Sequence, residues 1–238
     1  MAVGLVRLGH ETRMVSVVAD NALGVAAVNE LRRWGVDISA VTKAPQRMGL
    51  YFLTPGAIHR PSDIVYDRAG SAFALADFSA LDWPKLLKGA GWLHVSGVTA
   101  ALGENCVTAA LTAMKAARKA GVKVSFDCNY RPKLWAEWSA DAPAYITQLM
   151  QQADLIFGGY RDIELVSGHR FNDERAAADH AFATFPHLQR LVCTRREQVN
   201  VDHNRLTGLM YTRETSLETD THNIERIIDR IGGGDAFA

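Results

Sequence analysis

Short apolar runs and amphipathic stretches take turns along this chain, and that alternation leaves few architectures open to it. Thr12 to Val18 (TRMVSVV) is rich in β-branched residues and reads as a strand. Asp20 or Asn21 then caps a helix running to about Trp34, which Gly35 ends. Trp92 to Val95 reads as a strand. A helix follows over Gly103 to Ala120, with Val107, Ala110, Leu111, Met114 and Ala117 on one stripe, Gly121 past its end and Lys115, Arg118 and Lys119 in its last turns. Val122 to Phe126 reads as a strand, Leu149 to Ala153 as the end of a helix, and Leu155 to Phe157 as another strand. Asp173 to Phe185 completes the pattern as a helix, followed by a strand over Leu191 to Cys193. Strands separated by helices of this length imply βαβ units, hence an α/β fold with a mostly parallel, doubly wound sheet and helices on both faces.

One stretch breaks the rhythm. Met48 to Thr54 (MGLYFLT) and Asp63 to Arg68 (DIVYDR) are strand-like, with a Pro- and Gly-containing turn and no helix between them. They predict an antiparallel hairpin outside the main sheet, a small β lid within residues 45–72. The opening run VGLVRLG reads as a helix with no strand before it, and the chain stops in the first turn of another helix. We therefore expect residues 1–238 to be a single, incomplete domain, an internal stretch of a longer protein and inactive by itself.

The totals exclude several functions. Lys plus Arg number 26 and so do Asp plus Glu, so nothing in the charge balance calls for nucleic acid or an anionic membrane as partner. An anionic small molecule needs only two or three local arginines. The cysteines, Cys106, Cys128 and Cys193, are odd in number and far apart, which argues against a disulfide framework or zinc site and for a reducing, cytoplasmic setting. No apolar run approaches the ~20 residues of a membrane span, and the first residues lack the features of a signal peptide. The eight histidines show no metal spacing. Glu11, Glu30 and Glu137 read as solvated charges. The five tryptophans read as packing residues rather than a stacking platform for bases.

Three places carry chemistry. The first is Gly232-Gly233-Gly234-Asp235-Ala236-Phe237, after the apolar pattern of Ile224, Ile227, Ile228 and Ile231. Glycines leave peptide N–H groups uncovered, a helix start attracts anions, and an Asp beside a phosphate can take a proton from an attacking hydroxyl. A plain loop with Asp235 as N-cap accounts for the same residues. The run is not a Walker A loop, since no Lys-Ser/Thr follows. The second is Asp127-Cys128-Asn129-Tyr130-Arg131-Pro132, at a strand's C-terminal end, where α/β sheets bind ligands. Arg131 can clamp a carboxylate with two parallel hydrogen bonds, or lie solvated in a turn closed by Asn129 and Pro132. The third is Tyr66-Asp67-Arg68 with Tyr51 on the partner strand. This is either a lid over a polar ligand or an exposed hairpin with cross-strand aromatic packing.

Taken together and in this order, the three places resemble the ribokinase-like (PfkB) carbohydrate kinases, and among them the 2-keto-3-deoxygluconate kinases. The family pattern D-x-x-G-A-G-D-x-F is matched by Asp229-Arg230-Ile231-Gly232-Gly233-Gly234-Asp235-Ala236-Phe237, with Gly233 in place of Ala. D-x-N-x-R is matched by Asp127, Asn129 and Arg131. Y-x-R-x-x-S-A is matched by Tyr66, Arg68, Ser71 and Ala72, and G-L-Y by Gly49, Leu50 and Tyr51. The resemblance spans essentially the whole chain. It implies ATP-dependent phosphorylation of 2-keto-3-deoxygluconate, a sugar acid, to its 6-phosphate. Asp235 would be the catalytic base, the amides of Gly232, Gly233 and Gly234 an anion hole, and magnesium the bridge between ATP oxygens. Tyr51, Tyr66, Arg68, Asn129 and Arg131 would hold the sugar acid. The alternatives are a neutral-sugar kinase such as a fructokinase, which would not depend on Arg131, and a non-catalytic sugar-binding protein on this fold. The lid further implies a homodimer formed through it.

Two family patterns are altered. N-x-x-E reads Gly159-Tyr160-Arg161-Asp162, leaving Asp162 to act on magnesium through water. The nucleotide-side loop T-x-G-x-x-G reads Thr194-Arg195-Arg196-Glu197-Gln198-Val199, without either glycine. Thr194, Arg195 and Asp127 are the expected nucleotide contacts, on a loop whose backbone must differ from the family's. We read both changes as the trait of a subgroup.

Overall fold

The computed structural model describes residues 1–56, 60–138, 140–228 and 231–238. The chain divides into two units, one comprising Met1–Pro55, Ser62–Ala80 and Asp229–Ala238, the other Gly56–Pro61 and Leu81–Ile228.

The first unit opens with α1 (Ala2–Arg7), β1 (Arg13–Ala19), α2 (Ala22–Arg33) and β2 (Asp37–Ala44). Asn21 starts α2: its Oδ1 accepts from the amides of Leu23 (3.0 Å) and Gly24 (3.2 Å), donors that a helix start leaves without partners. Gly24 lets the helix lie against the end of β1, because a Cβ there would strike the Ala19 carbonyl. β1 and β2 pair in parallel, as the helical crossover permits. No strand is expected from sequence over residues 37–44, where apolar and polar residues alternate only in part; pairing with β1 makes it one. The predicted hairpin is present as β3 (Leu50–Thr54) and β4 (Asp63–Asp67), antiparallel, with Tyr51 opposite Tyr66 and Phe52 opposite Val65.

The second unit contains α3 (Trp83–Leu86), β5 (Trp92–Ser96), α4 (Gly97–Ala100), α5 (Glu104–Lys119), β6 (Lys123–Asp127) and α6 (Pro132–Ala136). It continues with α7 (Ala142–Met150), β7 (Leu155–Phe157), α8 (Tyr160–Ser167) and α9 (Glu174–Thr184). It closes with β8 (Arg190–Asn200), β9 (His203–Tyr211), β10 (Ser216–Glu218) and β11 (His222–Ile224). One sheet runs β5-β6-β7-β8-β9-β10, with β11 also on β9. β5 to β8 are parallel and the remaining pairs antiparallel. Val124, Ser125 and Phe126 of β6 are buried, as expected of an inner strand in a parallel sheet. α5 packs on β5 and β6 through Val107, Ala110, Met114 and Ala117. Leu111, expected on that stripe, is only half-buried. Burial of a side chain such as Met114, Leu149 or Ile156, all fully enclosed, stabilises the unit by roughly 1.5–3 kcal/mol each.

A buried carboxylate fixes the strand starts. Asp154 Oδ2 accepts from the Val124 amide (2.9 Å) and lies 3.3 Å from Arg118 Nη1, while Oδ1 lies 3.3 Å from Lys123 Nζ. With these partners the charge is tolerable in the interior.

Other sequence expectations change. β8 does not stop at Cys193 but runs to Asn200, because β9 supplies hydrogen-bond partners along its length. α6 and α8 are helices that the sequence pattern does not single out. Trp92 is not a core residue, being 49% exposed. Among the described residues, no helix is long and apolar enough to cross a membrane. The last helix, α10 (Gly233–Phe237), belongs to the first unit.

Candidate active site

In the second unit, polar residues gather where β5, β6 and β7 end. β5 ends on Ser96, which caps α4, and β6 ends on Asp127. Asp127 Oδ1 accepts from the Asn129 amide at 3.1 Å, folding the chain into a tight turn. Asn129 takes a left-handed φ of +36° and donates from Nδ2 to Ser96 Oγ at 3.2 Å. The Cys128 amide donates to the Phe157 carbonyl at 2.9 Å. Gly97 completes the contact, since any Cβ there would run into the Cys128 carbonyl. The turn thus delivers Arg131 to the position before α6, exposed, with Nη1 donating to the Tyr130 carbonyl at 3.0 Å. Trp135 anchors α6: its buried ring stacks on Trp138 and Tyr145, with centroids 5.7 and 6.2 Å away.

Beyond β7, the Gly158 amide donates to the Val192 carbonyl at 2.9 Å, and the Gly159 amide donates to Asp162 Oδ2 at 2.8 Å. A Cβ at Gly158 would lie 2.7 Å from Cys128 Sγ and 3.3 Å from Asp162 Oδ2. Loss of water around Asp162 pushes its carboxyl up, against the opposing pull of the Gly159 amide and the Arg131 charge. Burial pushes the Cys128 thiol well up and the Cys193 thiol to about 11, so neither is a thiolate nucleophile near neutral pH. Among the described residues, no group of three His, Cys, Asp or Glu could hold a metal ion. Asp162, with one oxygen on a backbone amide, suits magnesium held mainly by phosphate and water, since that ion keeps several waters and needs only one or two carboxylates.

Thr194 and Arg195, expected on a nucleotide loop, stand instead on regular strand, opposite Gly208 and Thr207 of β9. The Arg195 guanidinium is already engaged, at 3.2 Å from Glu174 and 3.0 Å from Glu218. The pattern that reads as a loop therefore lacks glycines for a physical reason: its backbone is extended.

In the first unit, Arg68 lies over Tyr51 and Tyr66, at 5.5 and 5.2 Å from their ring centres. Ser71 and Ala72 are buried beneath the hairpin, and a Cβ at Gly49 would press on Ser71 at 3.2 Å. Gly232 precedes α10 with a left-handed φ of +77°. Asp235 is the third residue of that helix rather than its N-cap, and is exposed. The amides of Gly233, Gly234 and Asp235 belong to the first turn, whose N–H groups have no carbonyl partner within the helix. Asp229 and Arg230 of the same motif lie outside the described residues.

The structure therefore joins Ser96, Asp127 and Asn129 in one hydrogen-bonded turn with Arg131 at its end, sets Tyr51, Tyr66 and Arg68 on one hairpin, and places the three glycines and Asp235 together at a helix start. Sequence reasoning overlooks Ser96 and Gly97; their signal is a polar residue and a glycine directly after an apolar strand.

A mostly parallel α/β sheet with its polar turns at the strand ends is the architecture of many phosphotransferases. The match to the pfkB family carbohydrate kinases extends over residues 1–238, and the chain belongs to that family. It is 32% identical over its full length to a 2-dehydro-3-deoxygalactonokinase of Haloferax volcanii, covering 70% of that protein. Its fold matches a PfkB family carbohydrate kinase from Listeria grayi (34% identity, TM-score 0.92) and the 2-dehydro-3-deoxygluconokinase of Thermotoga maritima (33%, 0.90). In each case 98% of this chain and 72% of the other are covered. The fold is thus ribokinase-like, and the protein is a phosphotransferase acting on sugars.

Proposed function

We propose that the protein transfers the γ-phosphoryl group of ATP to the terminal hydroxyl of 2-keto-3-deoxygluconate. The observation that carries the acid substrate is the state of two guanidinium groups. Among the described residues, neither Arg68 nor Arg131 lies within ion-pair distance of a carboxylate. Both side chains are supported, one on tyrosine rings and one on a backbone carbonyl, and both keep donors for an anion. The names of the relatives at 32% and 33% identity point to the same class of sugar acid.

In this reading the sugar hydroxyl attacks the γ-phosphorus in line, its proton passes to the Asp235 carboxylate, and the bond from that phosphorus to the departing ADP oxygen breaks. The amides of Gly232 to Gly234 stabilise charge on the transferring group. Arg68 and Arg131 bind the acid, Tyr51, Tyr66 and Asn129 orient it, and Asp127 and Thr194 serve the nucleotide; Arg195 joins them only by releasing Glu174 and Glu218. Magnesium, when bound, neutralises phosphate charge, with Asp162 reaching it through water.

The test is Asp235→Asn. Loss of the base should lower kcat by about 10²–10⁴-fold while calorimetry shows the sugar acid still bound; turnover near that of the unmutated protein would remove Asp235 as the base. Phosphorylation of 2-keto-3-deoxygluconate, its galacto epimer and fructose, measured side by side, tests the substrate. A preference for fructose that survives Arg131→Met would overturn the acid reading.

A further inference from the structure

Arg47 has no part in the roles above, yet its guanidinium makes several hydrogen bonds beside the hairpin. It lies three residues before β3 and is exposed along its side chain. Its Nη2 donates to Asp67 Oδ1 at 2.6 Å and to the Ala69 carbonyl at 2.7 Å. Its Nη1 donates to Asp67 Oδ2 at 2.9 Å, to the Asp67 carbonyl at 3.1 Å and to the Met48 carbonyl at 3.3 Å. Its own carbonyl accepts from the Ala72 amide at 2.8 Å.

One planar fork therefore grips the chain on both sides of a single residue, Arg68, through the carbonyls of Asp67 and Ala69. An exposed ion pair alone contributes little to stability. A bidentate fork with three backbone acceptors does something different: it fixes geometry. Arg68 directly follows the last residue of β4, Asp67, and among the described residues no strand pairs with the chain beyond it. Without the fork, the chain around Arg68 would keep the Ser71 amide's bond to the Arg68 carbonyl (3.3 Å) and the Ala72 amide's bond to the Arg47 carbonyl (2.8 Å), both on one side of Arg68, and its side chain the two cation–π contacts, each worth about 0.5–1 kcal/mol at an exposed site.

We infer that Arg47 is a positioning residue, whose guanidinium locks the backbone around Arg68 and so sets the direction from which Arg68 meets the sugar acid. The inference rests on the reading that Arg68 binds that acid. Asp67 serves as the second half of the lock. Lysine cannot replace Arg47, because a single ammonium cannot engage both carboxylate oxygens and the flanking carbonyls in one plane.

The experiment uses Arg47→Lys, Arg47→Ala and Arg68→Ala in the whole chain. The tyrosine rings shift the Arg68 side-chain proton resonances upfield, and both Arg47 variants should return them toward those of free arginine. Both should raise KM for 2-keto-3-deoxygluconate about tenfold, or about 1.4 kcal/mol, with kcat changed by less than about threefold and the melting temperature retained. Arg68→Ala should raise KM at least as far, and adding Arg47→Lys to it should have no further effect, as for residues acting as one unit. Arg68 resonances that stay shifted in both Arg47 variants overturn the inference. So does a normal KM for Arg47→Lys beside a raised KM for Arg68→Ala, which leaves the acid-binding reading intact. A normal KM for Arg68→Ala overturns the acid-binding reading and this inference with it. If Arg47→Ala fails to fold, Arg47→Lys, which keeps the charge, decides alone.

Discussion

Gly97→Ala puts the packing of the Arg131 turn to a direct test. The added methyl carbon would sit 2.9 Å from the Cys128 carbonyl carbon and 3.4 Å from the Asp127 carbonyl oxygen, and would strike the Cys128 oxygen. Carbon atoms pack best at about 3.5–4.0 Å, so the turn must retreat by roughly 1 Å. Its retreat is opposed by the Cys128 hydrogen bond to Phe157 (2.9 Å) and the Asn129 bond to Ser96 (3.2 Å). Overpacking of this kind costs about 1–3 kcal/mol, and the lower entropy of an unfolded alanine offsets about 0.4–1 kcal/mol of it. The approach to a backbone oxygen is close enough to place the cost in the upper half of that range, about 2–3 kcal/mol, so the net loss should be about 1–2.6 kcal/mol, or roughly 2–10 °C in melting temperature for a chain of this size. Gly91→Ala is the matched control, since a Cβ there meets nothing within 4 Å and no left-handed backbone is required. Urea unfolding, followed by the fluorescence of the buried Trp135 stack, reads both variants. Calorimetry with 2-keto-3-deoxygluconate should also show weaker binding to Gly97→Ala, because Arg131 rides on the displaced turn. Equal midpoints for the two variants would refute the argument that the turn is pressed against α4.

Two further substitutions probe the same unit. Asp162→Asn keeps an acceptor for the Gly159 amide but removes the desolvated charge. The Asp162 carboxyl is pushed up in the folded protein, so its contribution to stability is full below the unfolded pKa and lost as pH rises through the folded one. The variant should therefore gain stability over the parent toward about pH 8 and lose that gain toward about pH 4; a difference independent of pH contradicts this. Asp154→Ala leaves the buried Val124 amide without its acceptor and Arg118 and Lys123 without their carboxylate, although Arg118 keeps the Gln152 carbonyl at 3.1 Å. The orphaned amide should cost about 1–3 kcal/mol in urea unfolding, since both cations left behind are partly exposed, and a loss below about 0.5 kcal/mol would show that water replaces the carboxylate.

The sequence by itself determined the kind of fold and the addresses of its chemistry. Alternating apolar runs and amphipathic stretches are local patterns, so β1, α2, α5, β6 and α9 are legible without any partner. The hairpin is legible because Pro and Gly mark a turn between two β-branched and aromatic runs. The motifs at Asp127 to Arg131, Tyr66 to Ala72 and Gly232 to Phe237 are contiguous and survive as strings. Only the tertiary structure decided what depends on neighbours distant in the chain. β2 is a strand because β1 pairs with it, and β8 continues to Asn200 because β9 lies beside it, which turns an expected nucleotide loop into sheet and gives Arg195 two carboxylates. Asp162 accepts from the Gly159 amide where its surroundings exclude water, and Gly97 is a glycine because the Cys128 carbonyl occupies the space of its Cβ. Arg47 reads as one more exposed arginine in the sequence; its hold on both sides of Arg68 exists only once β3 and β4 have paired and brought residues 20 and 22 positions apart within hydrogen-bond reach.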